Sequence, residues 1–138
     1  MDDTPDVVIP QSAAIPYRIE DHSPRILLIT SRRRKRWIVP KGIVEPWQSP
    51  EDAALEEAFE EAGVRGSLVG NALGDYEYEK WDGVCRVDVF LMRVEEVLAS
   101  WPEAGIRERV WVGVDEAVEL VEIDDVCRLI QQARALMK

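Results

Sequence analysis

The stretch Gly42–Val64, GIVEPWQSPEDAALEEAFEEAGV, holds seven acidic residues and no Lys or Arg, and four of its carboxylates fall in the run Glu56-Glu57-Ala58-Phe59-Glu60-Glu61. It predicts a helix over Pro50 to Ala62. Ser49 can cap its N-terminus, Pro50 suits the first turn, Glu51 and Asp52 favour the positive end of the dipole, and Gly63 ends it. On that helix Glu57, Glu60 and Glu61 share one face, while Ala54, Leu55, Ala58 and Ala62 form an apolar stripe for a core. Like charges at this spacing repel by a few tenths of a kcal/mol per pair, and a hard divalent cation reverses the sign. Two readings follow: a metal-assisted phosphate site, or a solvated acidic face, which is the ordinary fate of a charge run.

The spacing favours the first. The segment resembles the signature of the Nudix hydrolases, G-x5-E-x7-R-E-U-x-E-E-x-G-U with U aliphatic, through Gly42, Glu57, Glu60, Glu61, Gly63 and Val64, with Ala58 in an aliphatic slot. Trp37-Ile38-Val39-Pro40-Lys41-Gly42 is similar to the family's entry into the box, and Glu108-Arg109-Val110-Trp111-Val112 to its late strand. The likeness runs from about Ala13 to Leu136. Two positions depart: Gln48 stands for the first glutamate and Glu56 for the arginine, residues that commonly pair in the family. Because both differ together, a Gln48 to Glu56 hydrogen bond can stand in for the ion pair with its polarity reversed.

The resemblance implies an α/β (α+β) fold, a mixed sheet sandwiched between helices, and water attack at a phosphorus of a phosphoanhydride. It implies Mg²⁺ or Mn²⁺ as cofactor, held by Glu57, Glu60, Glu61 and the backbone carbonyl near Gly42, with the same three glutamates as the catalytic set. Glu57 is favoured for double duty as ligand and general base, and Glu108 is the best remote alternative for the base. Catalysis of this kind rests on charge neutralisation and water orientation, which suits carboxylates and a divalent ion.

A basic run, Ser31-Arg32-Arg33-Arg34-Lys35-Arg36, precedes the box and is followed by Lys41. Five consecutive cations suit a solvated loop or, less well, a targeting patch. They also suit a polyphosphate site, because this loop leads into the box; Arg32, Arg34, Arg36, Lys41 and the later Arg107 are the candidate substrate-binding residues. With Trp101 and Arg107, the run is similar to the diphosphoinositol polyphosphate and diadenosine polyphosphate phosphohydrolases, although those carry a further glycine where Lys41 stands. A polyphosphorylated small molecule is therefore the expected substrate. A non-catalytic phospholigand-binding module on the same fold is the alternative, motivated by Gln48 and Glu56. Among the hairpin aromatics Tyr76, Tyr78 and Trp81, packing against the sheet competes with stacking on a base.

Length, charge and cysteine usage bound the rest. The chain has 138 residues, 46% of them hydrophobic, enough for one core, and its net charge of −10 disfavours duplex nucleic acid and anionic membrane. No apolar run spans a bilayer and the first ten residues, MDDTPDVVIP, are no cleavable leader, so a cytoplasmic monomer or homodimer is expected. Cys85 and Cys127 read as reduced thiols, and His22 as a surface turn residue. Residues 1–10 are expected to be a flexible arm and 11–138 a single domain. Strands are predicted at Ala13 to Ile19, Arg25 to Thr30, Arg36 to Val39 and Arg109 to Val114, with a long hairpin of Leu68 to Lys80 and Val84 to Val94 turning at Trp81-Asp82-Gly83. Asp115 is expected to cap a short helix, and apolar spacing extends a last helix from Asp124 to Met137.

Overall fold

The computed structural model describes residues 7–33 and 35–138. Their element order is β1 (Val8–Glu20), β2 (Ser23–Thr30), β3 (Trp37–Ile38), β4 (Lys41–Ile43), α1 (Pro50–Ala62), β5 (Val64–Leu68), β6 (Gly74–Lys80), β7 (Gly83–Val97), β8 (Arg109–Gly113), α2 (Val114–Leu120) and α3 (Asp124–Ala133), with a final 3₁₀ turn at Arg134–Leu136. The eight strands form one mixed sheet. Its spine runs β3-β2-β1-β7-β5, with β4 on β1, β6 on β7 and β8 on β2. Among the described strands only β1 and β7 pair in parallel, from Val8 opposite Val84 to Tyr17 opposite Arg93.

The uninterrupted apolar run of β2 is explained by cover on both faces. Ile26 and Leu28 point into a core closed by Ala117 of α2 and Leu129 and Ile130 of α3, whereas Leu27 and Ile29 point into one closed by α1. The helix α1 lies against the sheet through Ala54, Ala58 and Ala62, all fully buried; their small side chains let its backbone come close and hold its glutamates near the loops at the end of β3.

The predicted mixed sheet between helices is the observed one. Its details differ at several points. Of the expected N-terminal arm, Val8, Ile9 and Pro10 are instead the start of β1, held by β7, because their backbone groups find partners in Val84, Cys85 and Arg86; residues 1–6 lie outside those described. Residues Lys41–Ile43 form a strand of their own on β1 rather than a bare loop. Of the expected first arm, Leu68 to Lys80, only Gly74–Lys80 is β6; Leu68 instead ends β5, a strand the sequence reading does not predict, and Val69–Leu73, with Gly70 at φ 67°, separates the two, both on β7. Asp115 does not cap α2: β8 passes directly into the helix, Gly113 occupies the cap position, and Asp115 sits in the first turn. The last α-helix stops at Ala133, and the tighter 3₁₀ turn shifts the phase so that Met137 is buried while Leu136 is exposed. Asp21 and His22 form the exposed β1–β2 turn with left-handed φ of 51° and 67°.

Candidate active site

The acidic helix forms as its sequence demands. Ser49 accepts from the Asp52 backbone N–H at 3.0 Å, and Gly63 closes the helix at φ 68° with its N–H donated to the Ala58 and Phe59 carbonyls. Gln48 Nε2 donates to Glu56 Oε2, while Gln48 Oε1 accepts from the Glu45 N–H at 3.0 Å. The amide thus ties the loop before the helix to its second turn, as the paired departures at positions 48 and 56 suggest.

Of the three predicted glutamates, two meet. Glu57 lies beside Glu61, and burial together with the Glu61 charge pushes Glu57 up to about 8. Glu61 is itself raised by burial, but Arg107 and the Lys41 N–H oppose that rise. Both carboxyl groups are thus pushed toward the neutral form by burial, Glu61 less freely because Arg107 and the Lys41 N–H favour its charge. Lys41 N donates to Glu61 Oε1 at 3.2 Å, and Arg107 Nη2 lies 3.5 Å from Glu61 Oε2. Gly42 passes directly under the pair, where a Cβ would run into the Glu57 carboxyl group. Glu60 stands one turn from Glu56, and burial with the Glu56 and Glu103 charges raises its pKa.

Among the described residues no three acidic, His or Cys side chains already form a metal cage. The donor chemistry nonetheless fits a hard divalent ion: two partly buried carboxylates that cannot both ionise comfortably, with a main-chain segment at Gly42 close enough to add a carbonyl oxygen.

A residue that sequence reasoning passed over is Glu103. Its charge raises Glu57, Glu60 and Glu61, and its backbone N–H donates to the Glu60 carbonyl at 3.0 Å. Only its place in the Trp101 to Arg107 loop marks it. That loop is fastened to the end of α1: Trp101 Nε1 donates to the Glu61 carbonyl at 3.0 Å, and Arg109 stacks on Trp101 at 3.9 Å while donating to the carbonyls of Ala62 at 2.9 Å, Gly63 at 3.3 Å and Leu98 at 2.6 Å.

A cleft of about 640 Å³ opens beside Glu61, lined by Arg32, Arg33, Arg36, Lys41, Lys80 and Arg107. Of the candidate substrate-binding residues, Arg32, Arg36, Lys41 and Arg107 thus gather here, and Arg34 lies outside the described residues. They are not equivalent. Arg32 is exposed, and Arg36 is exposed but paired with Glu122 at 3.0 Å. Arg107 is buried, and its guanidinium is taken up by the Thr30 carbonyl at 2.9 Å, Glu103 at 3.0 Å and Glu61, so it braces the acidic pair. Lys41 sends its Nζ to the Tyr78 hydroxyl at 3.0 Å and Gln11 Oε1 at 3.4 Å, and burial lowers its pKa despite Glu61 and Glu57. Glu108 is an exposed residue just before β8, its N–H donated to Thr30 Oγ1 at 2.9 Å.

A sheet covered on both faces, with an acidic helix opposed to a basic cleft, is the architecture of a phosphate-handling domain. A family model of the NUDIX domain matches residues 9–128, and the chain belongs to that hydrolase family. It is 37% identical over 114 residues, 81% of this chain and 68% of the other, to diphosphoinositol polyphosphate phosphohydrolase 3-beta of Bos taurus, and 36% identical over the same shares to the 3-alpha form of Mus musculus. Among solved structures, the Ap4A hydrolase of C. elegans superposes with a TM-score of 0.78 at 20% identity, covering 94% of this chain and 98% of that one. The NUDIX domain of Shewanella oneidensis NrtR, complexed with ADP ribose, superposes with a TM-score of 0.74 at 16% identity, covering 95% and 89%. The family generally uses divalent metal ions. No helix among the described residues is long and apolar enough to cross a membrane.

Proposed function

We propose that this chain is a Mg²⁺- or Mn²⁺-dependent pyrophosphohydrolase that cuts a phosphoanhydride bond in a polyphosphorylated small molecule, such as a dinucleoside polyphosphate or a diphosphoinositol polyphosphate. The observation that carries this is the placement of Glu57 against Gly42 and of Glu61 against Arg107 and the Lys41 N–H, at the edge of the basic cleft. Glu57, Glu61 and the main chain at Gly42 hold the cation, and Glu60, on the same helix face, joins them. When bound, the ion neutralises phosphate charge and makes a water easier to deprotonate. Arg32, Arg36 and Lys41 bind the non-reacting phosphates, with arginine forks suited to their oxygens. Arg107 keeps Glu61 charged and in place. Glu57, once its proton is displaced, accepts the proton of the attacking water, and the anhydride breaks to give two phosphate-ended products. The two free cysteines fit a reducing compartment, and we place the enzyme in the cytoplasm as a monomer or homodimer.

The rival, a phospholigand sensor without turnover, drew its force from Gln48 and Glu56. Their mutual hydrogen bond supports an organised helix and so favours the enzyme. The test is product release from dinucleoside polyphosphates, diphosphoinositol polyphosphates, sugar nucleotides and nucleoside triphosphates with either ion. Turnover that falls by about 100-fold or more in Glu57→Gln and Glu61→Gln, with folding retained, is expected. Tight binding with no product from any of them would replace the enzyme by the sensor.

A further inference from the structure

The helix α1 covers only part of the sheet face it packs on. Ala14 and Phe90 meet it in the core, and side chains alternate along a strand, so Val8 and Pro10 of β1 and Val84, Arg86 and Asp88 of β7 stand on the same face. The register continues each row onto β6: Val8 and Val84 align with Glu79, and Pro10 and Arg86 with Glu77. These rows are bare. Val8 is 56% exposed, and Pro10, Arg86, Glu77 and Glu79 are exposed beside it.

The two faces of β6 differ in chemistry. Tyr76 and Tyr78 belong to the core on the α3 side, whereas Asp75, Glu77 and Glu79 line the bare face. Arg86 is the cation among them, and it is taken up by Asp75 at 3.1 Å. Glu77 and Glu79 form no ion pair among the described residues. Burial raises Asp88, and the Asp75 and Glu51 charges add to that rise against Arg86, so negative charge here exceeds what the face itself neutralises. Beside these rows, the Val44 N–H is donated to the Pro10 carbonyl at 2.9 Å, and the loop that follows carries Trp47, 80% exposed. An indole in water next to unpaired carboxylates is a ready seat for a cation.

We propose that this face docks an extended basic segment of a partner protein, with arginine or lysine at alternate positions. Alternate side chains of an extended chain fall about 6.7 Å apart, which is also the interval at which Glu79, Glu77 and Asp75 recur along β6. Successive cations of the partner therefore meet successive carboxylates. Their aliphatic stems lie over Val8 and Val84, and a guanidinium stacks on Trp47. Residues 1–6 of the chain itself are no complement, since Asp2, Asp3 and Asp6 share the sign of the face. The docking is independent of the hydrolase function, because neither Trp47 nor the β6 carboxylates belong to the catalytic set.

Two labelled peptides of one composition test the match of spacing apart from net charge. In fluorescence anisotropy, a peptide of about eight residues that alternates arginine and serine is expected to bind about threefold or more tightly than its isomer with the arginines in one block. Glu77→Lys with Glu79→Lys is expected to weaken the alternating peptide about tenfold or more, and Trp47→Ala about threefold or more. The same reversal on α2, Glu116→Lys with Glu119→Lys, is expected to change it by less than about twofold. All of these positions are exposed, where folding is safe. Equal binding of the two peptides, or a loss from the α2 variant as large as that from the β6 variant, would reduce the attraction to the net charge of −10 and overturn the proposal. Self-association of the wild type that the β6 variant abolishes would overturn it as well, by making the basic run of a second copy the occupant.

Discussion

Glu57 ordinarily titrates near 4.5 and is pushed up to about 8 in the folded chain, first by burial and then by Glu61. Between those values the metal-free fold holds a proton that the unfolded chain releases, so its stability is full below the lower value and is lost as pH rises through the upper one. Thermal melting in chelator is expected to show the midpoint falling across that window, and Mg²⁺ to reverse the fall at its alkaline end. A midpoint that is flat or rises there would contradict the raised Glu57. Glu57→Gln removes the conflict: at alkaline pH without metal it is expected to melt roughly 3 °C higher, about 1 kcal/mol after solvent screening, while losing turnover. The two residues that depart from the family pattern show how far a single side chain can be read ahead. An amide facing a carboxylate was inferable because both positions changed together, and Gln48 does donate to Glu56. The bracing of Glu61 by Arg107 was not, because helical spacing fixes which face a residue occupies and not which distant side chain meets it.

At the scale of elements, α1 was legible to the residue, since its cap, proline, alanine stripe and terminal glycine all agree. Ser49→Ala is expected to cost about 1 kcal/mol in denaturant unfolding, by removing the acceptor for the Asp52 N–H. Gly63→Ala should cost more, about 1–2 kcal/mol, because residue 63 is left-handed and a methyl there would press on Trp101 and Arg109. The short strand β4 and the division between β5 and β6 were hidden. Three residues of pairing carry no periodicity, and the two strands share one partner, β7, which runs unbroken past the gap between them. The fastening of Leu98–Arg109 to the end of α1 was equally unreadable, because it joins side chains to carbonyls about 40 residues away. Arg109→Ala leaves the carbonyls of Ala62, Gly63 and Leu98 without their donor; a loss of about 2–3 kcal/mol is expected, with a drop in turnover as Glu103 and Arg107 shift with their loop. Unchanged turnover in a variant destabilised by that amount would show the loop to be catalytically idle.

Over the whole molecule, a net charge of −10 surrounds one concentrated positive region, the cleft of Arg32, Arg33, Arg36, Lys41 and Lys80. The local field draws in a polyanion that the global field repels, and salt weakens the nearer attraction most where the arginines are exposed. Raising ionic strength from about 0.05 to 0.3 M is expected to increase KM several-fold with little change in kcat, and Arg32→Ala to blunt that response. The same breadth of scale governs how the chain assembles. The central pairing of the sheet sets Val8 beside Val84 and Tyr17 beside Arg93, partners separated by more than half of the polypeptide. A ribosome must deliver β7 before β1 can find its parallel neighbour, and until then the oily middle of β1, Ala13-Ala14-Ile15, has an open flank. Nascent chains halted before Gly83 should stay protease-sensitive and sticky, and the rate of refolding should respond more to lesions in β7 than to lesions in the acidic helix that does the chemistry.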